Sequence, residues 1–466
     1  MTPPTEPPSP TEAREPRAEP RKALLGPLHR PAFAFLASGQ AVSQLGDGAF
    51  RVALILYVVR LTGSAKDLGI VTAVYMIPNI ATFFISGPIV DRLPRRLVMM
   101  GSDTSRLLFC TGLTILAATS VSSLALVAAL YALFGVADAF FQPAFTAFLP
   151  SILSPQELTS ANAINASARR AGLVLGPLLG AGLVAVSGPA LAFGADAVSF
   201  AVSVASLALI GYRTSASDRA AAPRADSADQ TRKAAGVQIR DELREATAGA
   251  RYLWTVSWLG LLTVCAAFVN AGAAGSMDVV FPFYTRSHFG THTPALGLFF
   301  GVQSLGALLG AVAIGVLAKK VLRPGIATQL LLMLMGASVF LLAFTHAIAL
   351  ILVLCISYGL AVEAVGVIAG TLMQLHVPDE VLGRVSAIDY LVSYSLMPLS
   401  VFLFGVYLRP LGVAGSFLLA GGAMIVASAL PLLNRNLRQL DNHVPGGDMA
   451  TGTVATGDDS TQPVAG

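Results

Sequence analysis

The sequence predicts an all-α integral membrane protein in which twelve transmembrane helices form two pseudo-symmetric six-helix halves. Three observations carry that expectation. The chain of 466 residues is 55% hydrophobic and only 12% charged, with a mean hydropathy of +0.70. A soluble domain carries about 25% charged residues, so this chain cannot cover its surface with polar groups in water. The apolar residues fall into runs of about 20, the length that crosses a bilayer core as a helix. Finally, a charged loop after the second run recurs in the second half of the chain.

In chain order the spans are expected at residues 33–57, 69–90, 97–119, 121–143, 162–187, 190–211, 255–276, 294–318, 325–345, 347–373, 386–408 and 411–434. Met1 to Arg30, rich in Pro, Glu and Arg, lacks an apolar core followed by a small-residue cleavage site. It reads as a disordered cytoplasmic tail and not as a signal peptide. Residues 31–212 then form an N-terminal six-helix half and residues 253–435 a C-terminal one. Between them, residues 213–252 form a polar cytoplasmic loop, and residues 436–466 form a second disordered cytoplasmic tail. Thr119–Ser123 and Ser187–Pro189 leave room only for tight hairpins.

Basic residues set the orientation, because they gather on the cytoplasmic side of a membrane. Arg14, Arg17, Arg21, Lys22 and Arg30 precede the first span. Arg92, Arg95 and Arg96 follow the second, and eight arginines or lysines lie between Arg213 and Arg251. Lys319, Lys320 and Arg323 follow the eighth span, and Arg435 and Arg438 the twelfth. The opposite loops hold little beyond Arg60, Lys66, Arg286 and Arg409. Both termini and the central loop are therefore expected in the cytoplasm. The net charge of +4 reports this topology and gives no reason to expect a nucleic-acid partner.

The repeated loop supports the six-plus-six division. Gly87-x-x-x-Asp91-Arg92-x-x-Arg95-Arg96 is followed 228 residues later by Gly315-x-x-x-Lys319-Lys320-x-x-Arg323, again after the second helix of its half. The second copy lacks the aspartate.

Ionisable groups inside a span are costly, so each calls for a partner or a function. Gln40, Gln44, Asp47 and Arg51 recur at i, i+4, i+7 and i+11, one face of the first span, which is expected to line a water-filled cavity. Asp47 and Arg51 are one turn apart and can pair. Glu363 sits near the middle of the tenth span among Ala, Val and Gly, with no basic residue within a turn. Asp47 and Glu363 are the candidates for taking up and releasing a proton, against the alternative of structural polar contacts between helices. Asn270 in the seventh span joins Gln40, Gln44 and Arg51 as a candidate cavity residue. Asp103 and Arg106, at i, i+3 in the third span, read as a local structural pair, and Asp196 is left without a role. Gly172-x-x-x-Gly176-Pro177-x-x-Gly180 in the fifth span gives a small-residue face on which helices pack closely, with a bend at the proline.

The spacing Gly87-x-x-x-Asp91-Arg92-x-x-Arg95-Arg96 resembles the loop between helices 2 and 3 of the major facilitator superfamily of transporters, with Pro94 where that family usually has glycine. Gly39-Gln40-Ala41-Val42-Ser43-Gln44-Leu45-Gly46-Asp47, Pro155-x-Glu157-Leu158-x-x-Ala161-Asn162-Ala163 and Gln374-Leu375-His376-Val377-Pro378-Asp379-Glu380-Val381-Leu382-Gly383-Arg384-Val385 narrow the resemblance. They are similar to the twelve-helix branch that holds macrolide-efflux proteins and enterobactin-type siderophore exporters. The likeness covers about residues 30–435. It implies a substrate site between the halves near the midplane. It also implies a cytoplasmic gate in which Asp138 latches onto Arg92 or Arg95, and Asp91 meets the start of the eleventh helix. The glycine–proline pattern around Pro177 resembles the helix 5 signature of antiporters.

These implications make the expected function secondary export of an amphipathic small molecule (a drug, antibiotic or siderophore) by proton antiport with alternating access, in the cell membrane. The alternative is a proton-coupled uptake symporter for a small nutrient, which would call for a more polar cavity than spans seven, eight and ten offer. The expected partners are the small-molecule substrate, protons and the lipid bilayer, with a monomer as the assembly. A membrane enzyme is disfavoured. His288 and His292 lie in an outside loop, His346 in a hairpin, His376 at a helix end, and His29 and His443 in tails, none with ligand spacing for a metal. No phosphate-binding loop with its lysine is present, so ATP-driven transport and a bound cofactor are not expected. Cys110, Cys265 and Cys355 lie in apolar runs with no paired spacing and are expected as packing residues.

Overall fold

The computed structural model describes residues 26–119, 123–210, 249–290, 295–317 and 323–440. Residues 1–25 and 441–466 of the predicted tails, most of the central loop, Lys319, Lys320 and the side chain of Asp91 lie outside the described residues. The inner ends of both tails are ordered, with a 3-10 turn at Gly26–His29, Arg30 paired with Glu157 at 3.1 Å and a helical turn at Arg435–Arg438. Among the described residues the predicted spans lie on helix over most of their length, and no strand occurs. The helices are α1 (Pro31–Thr62), α2 (Ala65–Arg92), α3 (Arg95–Ala118), α4 (Leu124–Ile152), α5 (Pro155–Ser187) and α6 (Pro189–Leu209). Then come α7 (Ser257–Ala274, continued through a π turn at Gly275–Val280 into Phe281–Phe289), α8 (Ala295–Leu317), α9 (Pro324–Leu341), α10 (Ile348–His376), α11 (Asp379–Ser395) and α12 (Met397–Ala429). Nine runs among the described residues are long and apolar enough to cross a membrane, by length and composition.

Local chemistry sets the helix ends. Ser64 accepts the Asp67 N–H at 3.3 Å and starts α2. At the start of α5 the Glu157 carboxylate accepts from the Ser154 N–H at 3.0 Å and hydroxyl at 2.8 Å, with Pro155 at the first helical position. Two hairpins repeat one backbone solution. Gly188, between α5 and α6, has φ 80° and ψ −179°, and Gly412 has φ 67° and ψ 170°. Only glycine adopts this combination readily. Gly412 breaks the otherwise continuous Met397–Ala429 where the sequence places the end of span eleven and the start of span twelve.

Clustering by contact gives two compact units. The first holds the described residues of Met1–Asp226 together with Pro282–Gly301, and the second those of Ser227–Phe281 and Val302–Gly466. The C-terminal end of α7 and the start of α8 thus belong with the first unit, a boundary that composition did not reveal. The reason is local. Arg286 donates to the Val59 carbonyl at 3.1 Å, and a methyl on Gly297 or Gly301 would collide with Pro177 and Ala181 or with Leu178 on α5.

Inside the first unit α1 packs on α5 and α6, α2 on α4, and α3 on α4 and α6. Inside the second, α7 packs on α11 and α12, and α9 on α10 and α12. There α8 meets α10 through Gly306, Gly310 and Gly359, which lie directly against the backbones of Ile356, Leu360 and Gln303. Pairings in the first half therefore recur among corresponding helices of the second, as a duplicated six-helix plan requires. Outward positions are apolar. Leu108, Ile115, Val186, Val198 and Leu209 are each more than half exposed, the face a lipid-embedded bundle presents.

Candidate functional site

The α1–α5 contact is built on glycine. Gly172, Gly176 and Gly180 face the backbone of Gln44, Leu45, Gly48 and Ala49, and a Cβ on Gly176 would come within 2.6 Å of the Gly48 Cα. The small-residue face predicted on α5 is therefore the surface that seats α1. On the opposite side, a Cβ at Gly46 would meet the carboxylate of Asp196 on α6 at 2.2 Å. Close packing on both sides brings the polar stripe of α1 up against α6.

The members of that stripe differ in their surroundings. Gln40 is 4% exposed and donates to the Ser203 hydroxyl at 3.3 Å, so it serves the α1–α6 contact. Gln44 and Asp47 are half-buried and Arg51 is exposed. The charges acting on Asp47 come from other helices: Asp196 on α6, Arg106 and Asp103 on α3, and Asp138 on α4.

Arg106 is the centre of this network. It is 3% exposed, and Asp103 is fully buried. Its guanidinium pairs with Asp103 on its own helix and with Asp138 on α4 at 3.2 Å. It lies between the rings of Phe141 and Phe200, 4.8 and 4.6 Å from their centroids, a cation–π arrangement. Asp103 accepts in addition from Ser203 on α6 at 2.6 Å. Asp138 accepts from the Tyr75 hydroxyl at 3.0 Å and the Asn79 amide at 3.3 Å, both on α2. Asp196 accepts from Ser199 at 3.0 Å and from the Cys110 thiol at 3.4 Å. Stacked rings of Tyr75 and Tyr131, 4.5 Å apart, continue through Phe134 to Phe50 along one side.

Two expectations are corrected here. The Asp103–Arg106 pair forms, yet it is not merely local, since it ties α3 to α4 and α6. Asp138 does not latch onto Arg92 or Arg95. Its partners are Arg106, Tyr75 and Asn79, while Arg95 donates to the Ala147 carbonyl at 3.2 Å, farther along α4 by about 14 Å of helix rise. Arg96 holds the end of α6 through the Leu207 and Ala208 carbonyls at 2.7 and 2.8 Å. Asp138 sits too deep in the bundle for the loop arginines.

In the second unit Asn270 donates to the Ser393 carbonyl at 3.0 Å, and Thr263 on α7 donates to Asp389 on α11 at 2.5 Å. Glu363 is half-buried on α10. Residues assigned no polar role from sequence are Tyr75, Asn79, Asp389 and Cys110, the last expected only as a packing residue. Tyr75 and Asn79 did carry a signal, a polar i, i+4 pair inside an apolar run. Among the described residues no group of three or more His, Cys, Asp or Glu is placed to hold a metal.

Comparison with known proteins gives the family. The profile of the Major Facilitator Superfamily matches residues 36–401. The chain is 27% identical over 428 residues to the multidrug efflux pump Tap of Mycolicibacterium fortuitum, covering 89% of this chain and 97% of that one. It is 23% identical over 419 residues to macrolide efflux protein A of Streptococcus pyogenes, covering 87% and 96%. Among solved structures it resembles a peptide transporter POT in complex with sulfate (TM-score 0.70, 14% identity, 88% and 96% covered). It also resembles an inward-facing bacterial homologue of the iron transporter ferroportin (TM-score 0.63, 16% identity, 85% and 98% covered). At these identities the structural likeness concerns the fold alone. From the profile match and the apolar helical bundle, the chain is a multi-pass membrane protein and belongs to the Major Facilitator Superfamily.

Proposed function

We propose that this transporter exports an amphipathic drug-like molecule, such as an antibiotic, across the plasma membrane in exchange for protons. The observation that carries the reading is near full-length similarity to a multidrug efflux pump and a macrolide efflux protein. Its chemistry is supported by four carboxylates, Asp47, Asp103, Asp138 and Asp196, acting on one buried arginine within an apolar bundle. Carboxylates inside a span call for a partner or a function, and proton exchange is such a function. Alternating access then follows from the two-half plan, with the basic loops and both termini in the cytoplasm. Gly87, Asp91, Arg92, Arg95 and Arg96 form the cytoplasmic gate loop, and Asp47 and Glu363 are the coupling candidates. Gln44 and Arg51 are the cavity-facing positions of the α1 stripe.

The test is proton-driven accumulation of a panel of macrolides, siderophores and lipophilic cations in inverted membrane vesicles. Uptake that collapses with the pH gradient supports export by antiport. Folded, inserted protein that moves no compound of the panel rules out broad drug export.

A further inference from the structure

The loops expected outside the cytoplasm hold few basic residues, chiefly Arg60, Lys66, Arg286 and Arg409. Chain carrying three of these four converges within the first unit. Arg60 is exposed in the last turn of α1, and Arg286 is half-buried in the last turn of Phe281–Phe289. The Arg286 guanidinium lies 3.6 Å from the place a Cβ on Gly63 would take, and Lys66 follows three residues later in the first turn of α2. Asp67 is the only carboxylate in residues 56–67 and 282–296.

Arg60 and Arg286 line one recess of about 350 Å³, counted with its open mouth. Leu56, Val59, Pro282 and Leu296 give it apolar walls. Arg286 donates one Nη to the Val59 carbonyl at 3.1 Å, and the same carbonyl accepts the Gly63 N–H at 3.0 Å. The negative end of α1 is thereby covered. The other N–H groups of Arg286 make no hydrogen bond among the described residues. The Thr285 hydroxyl donates to the Pro282 carbonyl at 2.8 Å, so the side-chain donors of the recess are its guanidinium groups.

We propose that this recess binds the headgroup phosphate of an anionic phospholipid, held between the guanidinium groups of Arg60 and Arg286. A guanidinium offers a fixed fork of N–H donors that matches phosphate oxygens, and its charge strengthens each bond. Arginines at the ends of membrane helices extend to the headgroup level, so a lipid is the phosphate-bearing amphiphile at hand. The apolar walls suit the glycerol and the first methylenes, and the open mouth lets the acyl chains stay in the bilayer. A local excess of cations repels the ammonium of a zwitterionic headgroup and selects an anionic one.

The bound phosphate bridges α1 to the last turn of α7. It adds an ionic tie to the Arg286–Val59 bond that already holds Phe281–Phe289 to the first unit. Gly290, with φ 81°, turns the chain at the rim of the recess without a side chain to obstruct it. Such a lipid is a structural ligand, separate from the transported molecule, and its assignment does not depend on what is exported.

Native mass spectrometry of the delipidated full-length protein in uncharged detergent tests the site without transport. Phosphatidylglycerol is compared with phosphatidylcholine of the same acyl chains, and inorganic phosphate is added as a competitor. The wild type is expected to retain one more phosphatidylglycerol than Arg60→Gln or Arg286→Gln. The difference should close only when the lipid is raised about tenfold, the effect of losing one charge-assisted hydrogen bond. Arg409→Gln, at a basic residue outside the recess, should retain as much as the wild type. Arg60 is exposed, so its variant decides the matter if Arg286→Gln folds poorly. Unchanged retention in Arg60→Gln, an equal loss in Arg409→Gln, or equal retention of phosphatidylcholine overturns the proposal. Displacement of the lipid by inorganic phosphate at the same concentration does so too, and would make the recess a site for free anions.

Discussion

Arg106 and Asp138, on neighbouring helices α3 and α4, form a 3.2 Å ion pair whose guanidinium lies over two phenyl rings, and that pair organises the charged interior of the first half. Asp103 completes it from one turn away on α3.

Removing the arginine strands two carboxylates. Arg106→Ala is therefore expected to cost about 3–5 kcal/mol, the cost of breaking a buried pair from one side. Little monodisperse protein should be recovered in detergent. Asp138→Asn keeps acceptor and donor capacity for Tyr75 and Asn79 and should be recovered in larger amounts. Equal recovery of wild type and Arg106→Ala would remove the network from the stability of the fold.

Ser203 joins three helices through one hydroxyl, accepting from Gln40 on α1 and donating to Asp103 on α3. Ser203→Ala leaves both partners short of a bond, for a loss of about 1–3 kcal/mol. The apparent Tm in detergent should fall, and an unchanged value would show that both partners find replacements.

The α1–α5 contact supplies a matched pair of glycines on one helix. Gly176→Ala places its Cβ against the Gly48 backbone, with a penalty of about 1–3 kcal/mol. Gly182 has no atom within 4 Å of an added Cβ. Gly182→Ala is expected to be neutral, or to stabilise by up to about 1 kcal/mol through helix propensity. Apparent Tm values in one detergent decide the matter, and equal effects at both sites would refute the close-contact account.

The proposed cytoplasmic gate is tested at Asp91. Asp91→Asn should lower vesicle transport by more than it lowers the amount of protein in the membrane. Parallel losses would make Asp91 a folding residue.

Much of this architecture was legible in the sequence because lipid solvation imposes a long apolar period. The helices and the small-residue face of α5 are local patterns of that kind. Asp138 was not legible in the same way. Its position in span four is visible, but its partner depends on how far α3 and α4 slide past each other, and the arginine that reaches it lies eleven positions beyond Arg95. Gln40 shows the same limit. Periodicity placed it on the polar face of α1, and packing turned that part of the face into the α6 contact. The Nε of Arg106, buried without an acceptor among the described residues, has no sequence signature, since it follows from what every neighbour has already bound.

The π turn at Gly275–Val280 has a consequence for counting positions along α7. A π turn holds more residues than an α turn, so the stretch beyond it is offset in phase from what uninterrupted 3.6-residue periodicity would give. Excising one residue from this turn would let the helix regularise. Phe281–Phe289 would then keep its place, whereas straightening the turn to α geometry with every residue retained would rotate it by about 100° and carry Arg286 away from the Val59 carbonyl. The bulge thus absorbs one inserted residue, so an alignment or chimera that crosses it with a shorter partner should place its single-residue gap within Gly275–Val280.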